Sequence, residues 1–125
     1  MKWLTAKEAK EAAAKGAKAA LDFAIKHWRQ NATATFRECV AAKERGLTAE
    51  KLCALCYLGR NCNLCPIPKF TDGGVCYDTP YWEAQDDWSN FQYTPTKANY
   101  LLFHQAANNE YRFLLKVRKS LKAVK

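Results

Sequence analysis

Apolar residues recur along most of the chain at the three-to-four spacing of an α-helix, and no run reads as a strand. Thr5-Ala6-Lys7-Glu8 has the form of a capping box, in which the threonine hydroxyl takes an amide proton and the glutamate reaches back. It predicts a helix through about Gln30. As far as Ala20 that helix is apolar only through alanine, so residues 1–20 are expected to form an exposed helical arm. Gly16 lies within the arm and costs about 1 kcal/mol against alanine in a continuous helix. Leu21, Ala24, Ile25 and Trp28 then form a stripe expected in the core. The pattern breaks over Asn31 to Ala34. A second capping box, Thr35-Phe36-Arg37-Glu38, opens a shorter helix through about Arg45, closed by Gly46. Thr48 caps a brief third helix that leads to Cys53.

Residues 53–76 read as a loop punctuated by Gly59, Pro66, Pro68 and Gly73-Gly74. Asp78-Thr79-Pro80 supplies a cap and a proline, predicting a helix from Pro80 to about Ser89 that carries Tyr81, Trp82 and Trp88. Thr94-Pro95 repeats the device and opens a long helix over 95–121. Its buried stripe is Phe103, Ala107, Leu114, Val117 and Leu121. The expected fold is therefore mainly α: a small single helical domain over 1–125, with two long terminal helices packed together and a cysteine-rich, zinc-binding loop in the middle.

That loop holds the most specific chemistry. Cys53/Cys56 and Cys62/Cys65 are two C-x-x-C pairs, and Cys76 follows. The spacing lets two thiolates of one tight turn face a single ion, so four of these five cysteines are expected to bind zinc. The short connection between the pairs leaves open which four, and His27 or His104 as the fourth ligand of a three-cysteine site is a variant. The bland reading of His27, beside Trp28 on an apolar face, is a core histidine. Cys65-Pro66 is also a feature of iron–sulfur sites, which makes such a cluster the alternative cofactor. Cys39 lies apart from the group and reads as a small buried hydrophobe.

Charge changes the picture more by distribution than by its total of +8. From Thr71 to Thr96 there are acids but no lysine or arginine. From Tyr111 onward there are bases but no acid. Arg112, Lys116, Lys119 and Lys122 are the candidate surface for nucleic acid or a nucleoprotein complex. The start, Met1-Lys2-Trp3-Leu4, has no apolar signal region, and no apolar run approaches the ~18 residues that span a bilayer. A cytoplasmic location in a host cell, with reduced thiols and no membrane partner, is the expectation. No phosphate loop, metalloprotease or serine-hydrolase motif is present, and no enzyme activity is expected. Glu110 interrupts the stripe of the last helix and reads as a carboxylate at the edge of the core.

The succession of His27-Trp28, Cys53-Ala-Leu-Cys56, Cys62-Asn-Leu-Cys65-Pro66-Ile67, Cys76, Thr79-Pro80-Tyr81 and Glu110-Tyr111-Arg112-Phe113-Leu114 resembles a family of small uncharacterised phage and prophage proteins. The resemblance covers roughly residues 20 to 115. It implies phage-type origin and a metal-bound centre, and no named activity. Two functions follow as expectations. One is an accessory or regulatory protein that binds nucleic acid through its basic ends. The other is an inhibitor or adaptor, directed at a host or defence protein, that docks through the aromatic–acidic segment 77–93.

Overall fold

The computed structural model describes residues 1–48, 53–57 and 79–123, and these are mainly helical with no strand among them. Helix α1 (Ala6–Ala14) starts at the predicted box: the Glu8 amide donates to Thr5 Oγ1 at 3.2 Å, and the Thr5 amide donates to Glu8 Oε1 at 3.1 Å. The helix does not continue to Gln30. Gly16, at φ 112°, breaks it, and α2 (Ala17–Thr33) begins anew.

The break lets α1 fold back on α2, and this corrects the expectation of an exposed arm over 1–20. Ala9 is fully buried, Ala12 and Ala13 pack on the core, and so do Trp3 and Leu4. Gln30 of α2 secures the residues ahead of α1: its side-chain amide donates to Lys2 O at 2.7 Å and its Oε1 accepts from Leu4 N at 3.0 Å. An all-alanine face looks too weak to bury, yet its small side chains allow two helices to approach closely.

Gly16 therefore inverts an expectation. In one continuous helix Gly16→Ala would stabilise by about 1 kcal/mol. At φ 112° an L-residue is strained, although nothing lies within 4 Å of an added Cβ. Gly16→Ala is expected to destabilise by about 1 kcal/mol or more in urea melts. A gain in stability would mean that α1 and α2 are one helix.

Helix α3 (Phe36–Ala41) carries the second predicted box, with Glu38 N donating to Thr35 Oγ1 at 3.1 Å and Thr35 N to Glu38 Oε1 at 2.9 Å. It stops short of Arg45. The Lys43 and Arg45 carbonyls, just beyond its end, accept from side chains of the next long element. That element is α4 (Tyr81–Tyr93): Gln92 donates to both carbonyls, at 2.7 and 3.0 Å, and the Trp88 indole donates to Arg45 O at 2.9 Å. The α4 helix outruns its predicted end at Ser89, because Phe91 in its last turn is fully buried. The brief helix expected after Thr48 lies outside the described residues.

Helix α5 (Lys97–Ala123) begins after Thr96 rather than at Pro95. The Asn99 amide donates to Thr96 Oγ1 at 3.2 Å, and its side chain to Thr94 O at 2.8 Å, so Thr96 is the working cap. The helix is about 40 Å long. It packs antiparallel to α2, tied at one end by the Tyr100 hydroxyl on Ala34 O (2.7 Å) and at the other by Arg118 on Asp22 (2.8 Å). With α4 it makes a hairpin whose ring contact, Trp88 on Phe103, has centroids 4.8 Å apart. Phe103, Ala107, Leu114 and Val117 are buried as the stripe requires; the side chain of Leu121 lies outside the described residues. The predicted packing of the two long helices is present, with α4 as the third wall of the core.

Candidate functional site

The segment ahead of the cysteines is held by side chains from both sides. His27 Nε2 lies 2.7 Å from Leu47 O, and Asn31 Nδ2 donates to the same oxygen at 3.1 Å. The Tyr81 hydroxyl donates to Thr48 O at 2.6 Å, while the Tyr81 amide donates to Thr79 Oγ1 at 3.3 Å. Tyr81 thus clasps the two ends of the stretch that carries the cysteines. A buried loop backbone must find partners for its carbonyls, and here helices α2 and α4 supply them. Asn31, one helical turn from His27, had a readable signal: two polar residues at i, i+4 on an apolar face.

Cys53 is half-buried against the core and leads into a 3₁₀ turn, Ala54–Tyr57, whose Ala54 and Leu55 are buried. The backbone of Cys56 lies in this turn, the tight geometry that C-x-x-C spacing requires. The turn packs on α1 and α2. Cys62, Cys65 and Cys76, and with them most of the predicted loop 53–76, lie outside the described residues. Among the described residues no three potential ligands come together, and neither His27 nor His104 joins such a group. Thiolate donors on a tight, core-anchored turn suit zinc chemically. Cys39 is fully buried, and burial first, then the charge of Glu38, pushes its thiol up to about 11. It stays a neutral thiol.

His27 is a core histidine, 3% exposed, and burial pushes its pKa down to about 4 against the opposing pull of Leu47 O. The neutral ring donates from Nε2, leaving Nδ1 with no hydrogen-bond partner. Glu110 lies deeper than an edge position: it is 5% exposed, in the middle of the buried face of α5. Burial pushes its pKa up to about 8, and its Oε1 has no hydrogen-bond partner. The Trp88–Phe103 register puts Glu110 level with Tyr81 on α4, and along α2 it lies between the Arg118–Asp22 and Tyr100–Ala34 contacts. His104 is half-buried beside Tyr100, with ring centroids 5.6 Å apart.

Three of the four residues expected to form a basic surface are described with their side chains. Arg112, Lys116 and Lys119 are exposed along one face of α5, at the spacing that aligns residues on a helix. Lys122 lies on the same helix, with its side chain outside the described residues. The Arg118–Asp22 pair brings the first turns of α2, with exposed Lys18, beside this end of α5; Lys15 precedes them. Of the aromatic–acidic segment 77–93, residues 79–93 are described. The outward side of α4 shows Trp82 at 54% exposure, Tyr93 at 92%, Glu83 and Asp86. Asp87 beside them has a raised pKa, from burial and then from the charges of Asp86 and Glu83. Among the described residues, ion pairs join Met1 to Glu38 and Arg118 to Asp22, and none engages these α4 acids or the α5 cations.

No helix of the described residues is long and apolar enough to cross a membrane. Compared with protein-family models, with curated proteins and with solved structures, the chain matches none.

Proposed function

We propose that the chain is a small zinc-binding accessory protein of phage type that acts by binding nucleic acid, or a nucleoprotein complex, through the basic face of α5. The observation that carries this reading is the alignment of Arg112, Lys116 and Lys119 on one exposed helix face, with no acid among the described residues paired to them. Lys18 at the adjoining end of α2 extends the positive strip. A row of cations on a rigid rod neutralises successive phosphates and releases their counterions, so binding is electrostatic and largely blind to sequence. Zinc has a structural part in this scheme: it closes the cysteine segment onto the helical frame and does not itself touch the nucleic acid.

Neutralising about five phosphates gives a log–log salt slope near −4 to −5 for duplex DNA. Charge reversal at Lys116, Lys119 and Lys122 is expected to flatten the slope by about one unit for each phosphate no longer neutralised. The fold is expected to survive, because Lys116 and Lys119 are exposed. Fluorescence anisotropy of wild type and triple variant across a salt series checks this. Indistinguishable weak binding by both proteins would remove nucleic acid as the ligand.

A further inference from the structure

We infer that the outward faces of α4 and α5 are a self-association surface, the acidic–aromatic face of α4 in one copy lying against the basic–aliphatic face of α5 in a second, and the reverse. Most of the large apolar side chains exposed among the described residues lie on these two helices. Trp82 and Tyr93 are on α4; Leu101 (57%), Leu102 (54%) and Leu115 (40%) are on α5. Apolar side chains gathered on one side of a hairpin mark an interaction face rather than scattered surface exposure.

Charge selects the occupant. Among the described residues, Glu83, Asp86 and Asp87 crowd together on α4 with no cation paired to them, and Arg112, Lys116 and Lys119 stand on α5 with no acid. Within one chain these groups do not meet. The Trp88–Phe103 contact sets the hairpin register, which places Asp86 level with Gln105 and Trp82 level with Asn109. The basic half of α5 therefore runs on past the start of α4. A two-fold axis passing near Glu110–Tyr111 corrects the offset. It brings Asp86 of each copy opposite Lys116 of the other, and Trp82 opposite Arg112, an indole–guanidinium pair. Such an interface is self-complementary, as two-fold symmetry demands.

The size of the surface sets the strength. Two helix widths by the length of the 13-residue α4 give roughly 20 Å by 20 Å per copy, or about 800 Å² in total, below the range of stable specific interfaces. The dimer is accordingly weak and salt-sensitive. This inference does not rest on the nucleic-acid reading. The two share Lys116 and Lys119, so a polyanion and a second copy compete for the same cations.

Sedimentation velocity on nuclease-treated, zinc-loaded protein at low salt, across a micromolar concentration series, tests it. Wild type is expected to shift from monomer toward dimer, and to return to monomer in high salt. Glu83→Lys/Asp86→Lys and Lys116→Glu/Lys119→Glu, each alone, are expected to stay monomeric, because each turns both halves of the interface repulsive. Mixed in equal amounts, the two variants are expected to form a heterodimer, since every pairing is then opposite in sign. Circular dichroism confirms that both are folded; should either fail, Leu115→Ser, inside the stretch of α5 that faces the second copy's α4, serves as the disrupting variant. Wild type that stays monomeric throughout, or a dimer that both variants retain, would overturn the inference, and so would a mixture that stays monomeric. Because no nucleic acid is present, its failure and that of the polyanion reading are separate results.

Discussion

Purified protein is expected to hold about one zinc per chain, and Cys53→Ser or Cys56→Ser to strip it while α2, α4 and α5 stay folded. Zinc held by four cysteine-type ligands contributes on the order of 10 kcal/mol near neutral pH, comparable to the whole stability of a small domain. With zinc bound as proposed, that energy is expected to act locally. The core of Leu21, Trp28, Trp88, Phe91, Phe103 and Leu114 is made by the helices. Among the described residues the candidate ligand Cys53 is only partly buried against this core, ahead of the Ala54–Tyr57 turn. Loss of metal should therefore open the cysteine segment and leave most helical circular dichroism in place. Cys39→Ser is expected to keep the metal, because that thiol is buried beside α3 and neutral. Elemental analysis and limited proteolysis check both statements. Brown protein carrying iron and sulfide would replace zinc by an iron–sulfur cluster. Metal absent from Cys39→Ser but kept by Cys53→Ser would overturn the ligand assignment.

Stability is expected to fall by about 2 kcal/mol between pH 6.5 and pH 8, and Glu110→Gln to abolish that fall. Glu110 has a folded pKa of about 8 against an ordinary 4.5, so between those values the folded state binds the extra proton and loses stability as pH rises. His27 has a folded pKa of about 4 against 6.5, so it acts in the opposite direction: its contribution is present above pH 6.5 and lost as pH falls toward 4. The two nearly cancel between pH 4.5 and 6.5. Above that window Glu110 acts alone, at about 1.4 kcal/mol per pH unit. Removing the carboxyl should flatten the alkaline side and unmask the acid limb due to His27. Urea melts of wild type and Glu110→Gln at pH 5, 6.5 and 8 provide the check. Any pH dependence of zinc binding is common to both proteins and drops out of the difference. Equal slopes in the two would mean that Glu110 is solvated.

Local rules were legible wherever a few neighbouring residues decide the outcome. Both Thr-x-x-Glu boxes start helices where the sequence places them, because the hydroxyl, amide and carboxylate lie within one turn. The long stripe from Phe103 to Val117 was legible for the same reason: periodicity alone buries it. Features set by distant partners were not. Trp88 and Gln92, far along the chain, take the carbonyls of Lys43 and Arg45 just beyond α3, contacts that no local pattern shows. The docking of α1 depends on Gln30 and on an alanine face that carries almost no hydropathy signal. Thr96 rather than Thr94 caps α5 because Asn99 bonds to both residues, a pairing that spacing alone does not rank. For the candidate site, the basic face was readable as a helical row, and the cysteine pairs as a motif. The depth of Glu110 was not, since a carboxylate in a stripe reads as an edge until three helices are seen to close around that level.

The clasp made by Tyr81 has a consequence for engineering. Its hydroxyl on Thr48 O and its amide on Thr79 Oγ1 hold both ends of the intervening segment on the helical frame. Closing a loop costs entropy that grows only slowly with its length, and here the frame has already met most of that cost. The stretch between Tyr57 and Thr79 is therefore the replaceable part, because Ala54 and Leu55 of the preceding turn belong to the core. A foreign stretch of different length or ligand set, grafted between Tyr57 and Thr79, would inherit a fixed mouth and a stable three-helix support.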